Sequence, residues 1–229
     1  MDRTVRHRIV APPDRLATES AAVIGVGCVG RQVALQLAQM GVQTLYLVDP
    51  DDVGVENLAP QGYREDDIGA SKVDAVIAAC RANNSNVDYR GCKERWNRNI
   101  PAVQARALFV CVDSIDVRRF IWEQRQYYRN YQFMADGRMT AEVFRVISGT
   151  ELDLEDFYES TLFSAEEAFR PTGSCATQAT GYCGSACAAV MVQQYTKWLR
   201  YFPVDPSDVI VNLLAMEMNY PQEVQRLIA

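Results

Sequence analysis

The sequence predicts a doubly wound α/β fold: a mostly parallel sheet with helices on both faces and antiparallel strands toward the C-terminus. Three observations carry this. Short apolar runs alternate with helical periodicity along most of the chain; the first run ends in a glycine turn that opens a helix; and acidic residues stand where apolar strands stop. The 229 residues, 48% of them hydrophobic, suffice for one full core, so a single domain is expected over 1–229, with a flexible N-terminal arm at 1–15.

Ala21 to Ile24 is an apolar run that ends at Gly25. Gln32 to Met40 places apolar residues at helical spacing, and Gly41 is its stop. Thr44 to Asp49 is rich in strand formers and ends in an acid, completing a βαβ unit. Asp51 to Ala70 reads as a long loop, and loops of that length inside compact domains usually serve function. Ser71 to Ala82 is a helix, Asn86 to Gly91 a strand, and Leu108 to Asp113 a buried strand. Asp116 to Tyr128 is helical, Gln132 to Ala135 a short strand, and Glu142 to Ser148 another. An acidic, aromatic crossover follows at about 150–174, with a short helical piece. A long packed helix runs from about Gly181 to Leu199, and Val209 to Leu214 is a late strand.

Composition narrows the function. A net charge of -6 offers no basic surface for nucleic acid. No stretch approaches a membrane span, the N-terminus lacks a signal-peptide run, and seven cysteines make an odd count suited to free thiols, so a cytoplasmic protein is expected.

Gly25-Val26-Gly27-Cys28-Val29-Gly30, between strand and helix, forms a Rossmann-like nucleotide turn: glycines admit a phosphate to the backbone and the helix start supplies free N–H donors. Asp49 stands where a carboxylate accepts ribose hydroxyls. These two features alone fit an NAD-linked oxidoreductase as well as an ATP enzyme. Asn57, Gln61, Lys72 and Asp113 favour ATP, because they add donors, a cation and a potential Mg²⁺ ligand. Each also has a plainer reading: Lys72 as a solvated helix-start lysine, Asn57 and Gln61 as loop polars, Asp113 as a helix cap.

The combination of the glycine turn with Asp49, Val53, Asn57, Leu58, Gln61, Ile68, Gly69, Lys72 and Asp113 resembles the ThiF/MoeB/ubiquitin-activating superfamily, from Arg3 to about Trp198. The resemblance implies ATP-dependent adenylation of the C-terminal carboxylate of a ubiquitin-like or sulfur-carrier protein by a compact homodimer. It implies that Asp49 holds the ribose, that Asn57, Gln61 and Lys72 contact the phosphates, and that Asp113 is linked to Mg²⁺. Arg3-Thr4-Val5-Arg6 is similar to an N-terminal motif whose second arginine reaches the partner's ATP, making Arg6 a candidate finger; a mobile basic tail is the alternative. Cys175 lies where relatives carry the cysteine that accepts the activated carboxyl, although it also reads as packing. The sole histidine, His7, reads as a tail residue without a catalytic partner.

Two departures stand out. Pro60 occupies the position that the resemblance gives to a phosphate-binding arginine in Asn57-Leu58-Ala59-Pro60-Gln61, which leaves open a slow enzyme, an altered nucleotide pose or a non-catalytic scaffold; Arg64 is a possible replacement cation. The paired Cys-x-x-Cys of zinc-bearing relatives is missing, and Cys175, Cys183 and Cys187 match structural-zinc spacing poorly, so no zinc is expected.

Overall fold

The computed structural model describes residues 4–128, 130–163 and 179–221. Eight strands form one sheet in the order β3-β2-β1-β4-β5-β6-β7-β8. The parallel half comprises β1 (Ser20–Ile24), β2 (Thr44–Val48), β3 (Asp88–Cys92), β4 (Ala107–Val110) and β5 (Phe133–Thr140). The antiparallel half adds β6 (Val143–Gly149), β7 (Asp208–Asn212) and β8 (Glu217–Asn219). This is the expected doubly wound α/β fold with antiparallel C-terminal strands.

Strand alternation divides the apolar residues between two cores. Ala21, Val23, Leu45, Leu47 and Phe109 face helices α2 (Cys28–Met40), α4 (Lys72–Asn83) and α7 (Gly181–Leu199). Ala22, Ile24, Tyr46, Val48 and Leu108 face Trp96 and Ile100 of the β3–β4 connection, and Ile121 and Trp122 of α5 (Ile115–Glu123). On the first face Phe109 meets Tyr195 edge-on at 5.4 Å between ring centroids, fastening α7 to β4. Two further short helices, α1 (Pro13–Leu16) and α6 (Glu151–Leu154), precede β1 and follow β6.

Several boundaries differ from expectation. Helix α2 starts at Cys28 rather than Gln32, because Gly27 is its cap and the glycine turn is already its first turn. The interval Asp51 to Ala70 is not one irregular loop. It holds the 3-10 turns Val55–Asn57 and Glu65–Asp67 and the one-turn helix α3 (Leu58–Gln61). Side chains stabilise these turns: Gly54 N donates to Asn57 Oδ1 at 2.9 Å, and Arg64 N donates to Asp67 Oδ2 at 2.8 Å. Strand β4 ends at Val110, so Asp113 lies beyond it and is exposed. Ser114, not Asp113, caps α5 by accepting the Val117 N–H at 3.3 Å. Strand β5 runs to Thr140 because it pairs with β6 as far as Thr140 opposite Val143, with Asp136 buried in an ion-pair network. The N-terminal arm is in part folded: Ala11 is buried and α1 leads directly to β1.

Candidate nucleotide site

The chain leaves β1 to build β2 and β3 on one side and returns to β4 on the other. The topology therefore switches at the carboxyl ends of β1 and β4, the position where open α/β sheets bind ligands. The glycine turn fills this position. Gly25 adopts φ +83 and donates its N–H to Val48 O at 2.8 Å. A Cβ there would also lie 2.8 Å from Cys111 O, so only glycine lets β4 pass alongside. A Cβ at Gly30 would overlap the Gly25 carbonyl, which is how closely α2 approaches the turn. At Gly27 the nearest atom to such a Cβ is Gln61 Oε1 at 3.7 Å, leaving the mouth of the turn open beneath Gln61.

Asp49 stands immediately past β2 and is buried. Its Oδ2 accepts the Val26 N–H at 2.8 Å and its Oδ1 accepts the Asp51 N–H at 3.0 Å. Burial pushes its carboxyl above the usual 3.8, against the lowering effect of those two N–H groups and of Lys72. Lys72 opens α4, with its backbone N–H bonded to Asp51 O at 3.0 Å and its Nζ 3.1 Å from Asp51 Oδ2. The residue is buried, while the Asp51 side chain is 62% exposed, so the ammonium stays next to Asp49 with a partner that water largely solvates.

The short helix α3 rests over the first turn of α2. Gln61 Oε1 is buried and has no hydrogen-bond partner, although Gln61 faces the open mouth at Gly27. That oxygen is an acceptor awaiting a donor, and turning the amide over would present its NH2 to a ligand's acceptors instead. Tyr63 supports the turn from below, its hydroxyl donating to Val26 O at 2.6 Å. Asn57 is buried with its Oδ1 engaged by Gly54 N, so it shapes the cover and has its amide N–H groups to offer a ligand. Cys28 Sγ lies 2.9 Å from Pro60 O and 3.5 Å from Thr180 O, joining the turn to α3 and to the start of α7. Burial pushes the Cys28 thiol up, opposed by the Gly184 N–H.

The glycine turn, Asp49, Lys72, Asn57 and Gln61 thus gather at one edge, and Asp113 follows β4 at that same edge. Arg6 does not join them. It is exposed, the described backbone bonds around it run from His7 and Arg8 to Thr4, and α1 sits at the opposite, amino edge, where Gln43 N bonds Leu16 O at 2.9 Å. Cys175 lies outside the described residues. Cys183 and Cys187 are fully buried within α7, where they pack as small apolar groups. Arg64 is paired with Asp66 at 3.1 Å, with side chains 74% and 84% exposed, away from the turn.

Sequence reasoning missed a buried ion network beside the site. Asp136, opposite Val110 in the β4–β5 register, binds Arg118 Nε at 2.8 Å, Arg138 Nη2 at 2.7 Å and the Tyr158 hydroxyl at 2.9 Å. Burial alone would raise its carboxyl; the two guanidiniums outweigh that and hold it below the ordinary value. Arg138 also binds Thr161 O at 2.7 Å, tying the start of the crossover to the sheet.

A family model described as "ThiF family" matches residues 3–227. The chain belongs to the ThiF family. Among curated ThiF-type relatives, the adenylyltransferase and sulfurtransferase MOCS3-1 of Zea mays is 42% identical over 74 residues, 32% of this chain and 16% of that protein. Ubiquitin-like modifier-activating enzyme 5 of Oryza sativa subsp. japonica is 30% identical over 105 residues, 46% of this chain and 24% of that protein. The matched stretches thus span less than a quarter of these relatives. Solved structures share the ThiF-type fold at lower identity. E. coli MccB with MccA-N7isoASN has a TM-score of 0.74 at 16% identity, covering 96% of this chain and 71% of that one. PaaA has a TM-score of 0.66 at 23% identity, covering 95% and 77%. Among the described residues no helix is long and apolar enough to cross a membrane.

Proposed function

We propose that this chain adenylates a carboxylate with ATP, the carboxylate being the C-terminal group of a ubiquitin-like, sulfur-carrier or peptide partner. The observation that carries the reading is Gln61, half-buried, with its Oε1 enclosed and unpartnered beside the open mouth of the glycine turn, and with Lys72 and Asp49 at the same edge. A triphosphate there would meet the α2 N-terminus, the Gln61 amide and the Lys72 ammonium. Asp49 has lone pairs to spare for ribose hydroxyls beyond the two it gives to backbone N–H groups. The family membership supports the same reaction class, as do relatives named adenylyltransferase and modifier-activating enzyme, and structures of MccB bear ATP or MccA.

In the reaction, a carboxylate oxygen attacks the α-phosphorus, a C–O–P bond forms, the bond to the bridging oxygen breaks and pyrophosphate leaves with that electron pair. Lys72 and the helix N-terminus offset the charge that accumulates as two anions approach. Mg²⁺, when bound, neutralises phosphate charge. Exposed Asp113 would hold it together with phosphate oxygens, which suits an ion that takes one or two carboxylates and the substrate. Among the described residues no group of three or more His, Cys, Asp and Glu side chains forms a metal cage, so the phosphates would supply much of the coordination. Arg6 would reach a nucleotide only across a homodimer, and Cys175 would accept the activated carboxyl as a thioester, expelling AMP.

ATP–pyrophosphate exchange that requires a partner tail with a free carboxylate is the deciding measurement. Exchange with such a tail and none with its amidated form is the expected result. Absence of exchange with every tail, alongside retained ATP binding, would favour the non-catalytic scaffold that Pro60 suggests; tight NAD binding without ATP binding would favour an oxidoreductase. Cys175→Ala is expected to spare exchange and abolish the thioester.

A further inference from the structure

The position expected to carry a phosphate-binding arginine holds Pro60, whose carbonyl oxygen is engaged by the Cys28 thiol at 2.9 Å. Arg64, the replacement suggested by the sequence, is paired with Asp66 in solvent. A different guanidinium stands beside the C-terminal end of the same short helix. Arg31 lies on the first turn of α2, its backbone N–H bonded to Gly27 O at 3.0 Å. Its Nη1 is 3.3 Å from the point where a Cβ on Gly62 would sit, directly after Gln61. Its Cζ is 5.4 Å from the centre of the Tyr63 ring, the ring whose hydroxyl holds Val26 O.

Arg31 is half-buried, and among the described residues no carboxylate pairs with it and no acceptor takes its side-chain N–H groups. Its Nε is fully enclosed without a partner. A guanidinium withdrawn from water and left without an anion is costly, whereas the other arginines of comparable burial here each have a carboxylate or carbonyl: Arg118 with Asp136 and Gly137 O, Arg138 with Asp136 and Thr161. The exception sits at the glycine turn, stacked on the residue that braces it. Gln61 and Arg31 flank the same N-terminal turn of α2, the amide on the Gly27 side and the guanidinium on the Gly62 side.

We infer that Arg31 supplies the phosphate-binding cation that Pro60 cannot, engaging the terminal phosphates of a nucleoside triphosphate. The inference rests on the nucleotide reading of the site given above. Planar, permanently charged and held by Tyr63, the guanidinium is suited to a bidentate grip on phosphate oxygens.

Calorimetric titration of the full chain with Mg·ATP and, separately, with AMP tests this. Arg31→Ala is expected to weaken Mg·ATP binding roughly 10- to 100-fold while changing AMP binding by less than about threefold, because only charge-assisted bonds to the outer phosphates are lost. Arg31→Lys should restore part of the Mg·ATP affinity. Unchanged Mg·ATP binding in Arg31→Ala overturns the inference, and so does an equal loss of Mg·ATP and AMP, which would mean that Arg31 only props Tyr63. Should the alanine variant fail to fold, Arg31→Gln, which keeps the stem over the ring, gives the same comparison. Wild-type protein that binds neither nucleotide would refute the nucleotide reading itself, an outcome distinct from either.

Discussion

Asp49 Oδ2 accepts the backbone N–H of Val26 at 2.8 Å, so the carboxylate that ends β2 also fixes the shape of the turn that ends β1. With Oδ1 on the Asp51 N–H at 3.0 Å, one side chain braces both loops of the site. Asp49→Ala leaves two backbone donors without their acceptor. It should lower stability by about 1–3 kcal/mol in denaturant titration and remove nucleotide binding, whereas Asp49→Asn, which keeps one acceptor, should lie between. Full nucleotide affinity in the alanine variant would contradict the arrangement.

Lys72 separates function from stability. Its partner Asp51 is largely exposed, so the pair adds at most about 1 kcal/mol. Lys72→Met, which preserves the buried stem, should leave the melting temperature within a few degrees of wild type. Adenylation, read by pyrophosphate exchange, should fall by about 100-fold or more. A large loss of stability with little loss of exchange would reverse this assignment.

Two glycines of one turn should respond in opposite ways. Gly30→Ala puts a methyl into the Gly25 carbonyl and is expected to cost more than about 4 kcal/mol or prevent folding. Gly27→Ala meets only Gln61 at ordinary contact distance, so the fold should persist. Its methyl would nevertheless stand where a phosphate approaches, and nucleotide affinity should drop. Thermal melts with and without ATP distinguish the two.

Gly184 lies against Cys28, and a Cβ there would overlap the sulfur and sit 2.9 Å from the Cys28 carbonyl oxygen. Gly184→Ala should cost about 1–3 kcal/mol by forcing α7 away from α2. Combining it with Cys28→Gly should recover part of the loss, since the sulfur overlap goes and the carbonyl approach remains. Strictly additive losses in the double variant would argue against direct crowding.

The Asp136 network predicts acid sensitivity. Its folded carboxyl lies below the unfolded value of 3.8, so its stabilising contribution is complete above that value and is lost as the pH falls through the lower folded value. Asp136→Asn should destabilise by about 3–5 kcal/mol at neutral pH, because two guanidiniums would remain buried without a carboxylate. Its unfolding free energy should also fall less steeply than that of wild type below about pH 4, as measured by denaturant titration across pH.

Strands β1, β2 and β4 were legible because they are apolar on both faces, as parallel strands buried between helices must be. The second half of β5 was not, since Asp136 and Arg138 look solvent-facing until distant Arg118 and Tyr158 are brought to them. The interval after Asp51 concealed its turns because they depend on side-chain acceptors such as Asn57 and Asp67 rather than on apolar period. In the site, the glycine turn, Asp49 and Lys72 could be read from residue type and order. Gln61 could be named, but its unpartnered Oε1 depends on α3 lying over Gly27. Arg31 gave no signal, because a lone arginine on an amphipathic helix looks like solvated surface until a neighbouring segment closes over it.

The Cys28 sulfur touches Pro60 and Thr180, so a single atom links the phosphate turn to two segments remote from it in sequence. The short helix α3 and the head of α7 therefore meet at that point. A displacement at the head of α7 would pass to α3 through this sulfur and through the neighbouring approach of Gly181 to the Ala59 and Pro60 carbonyls.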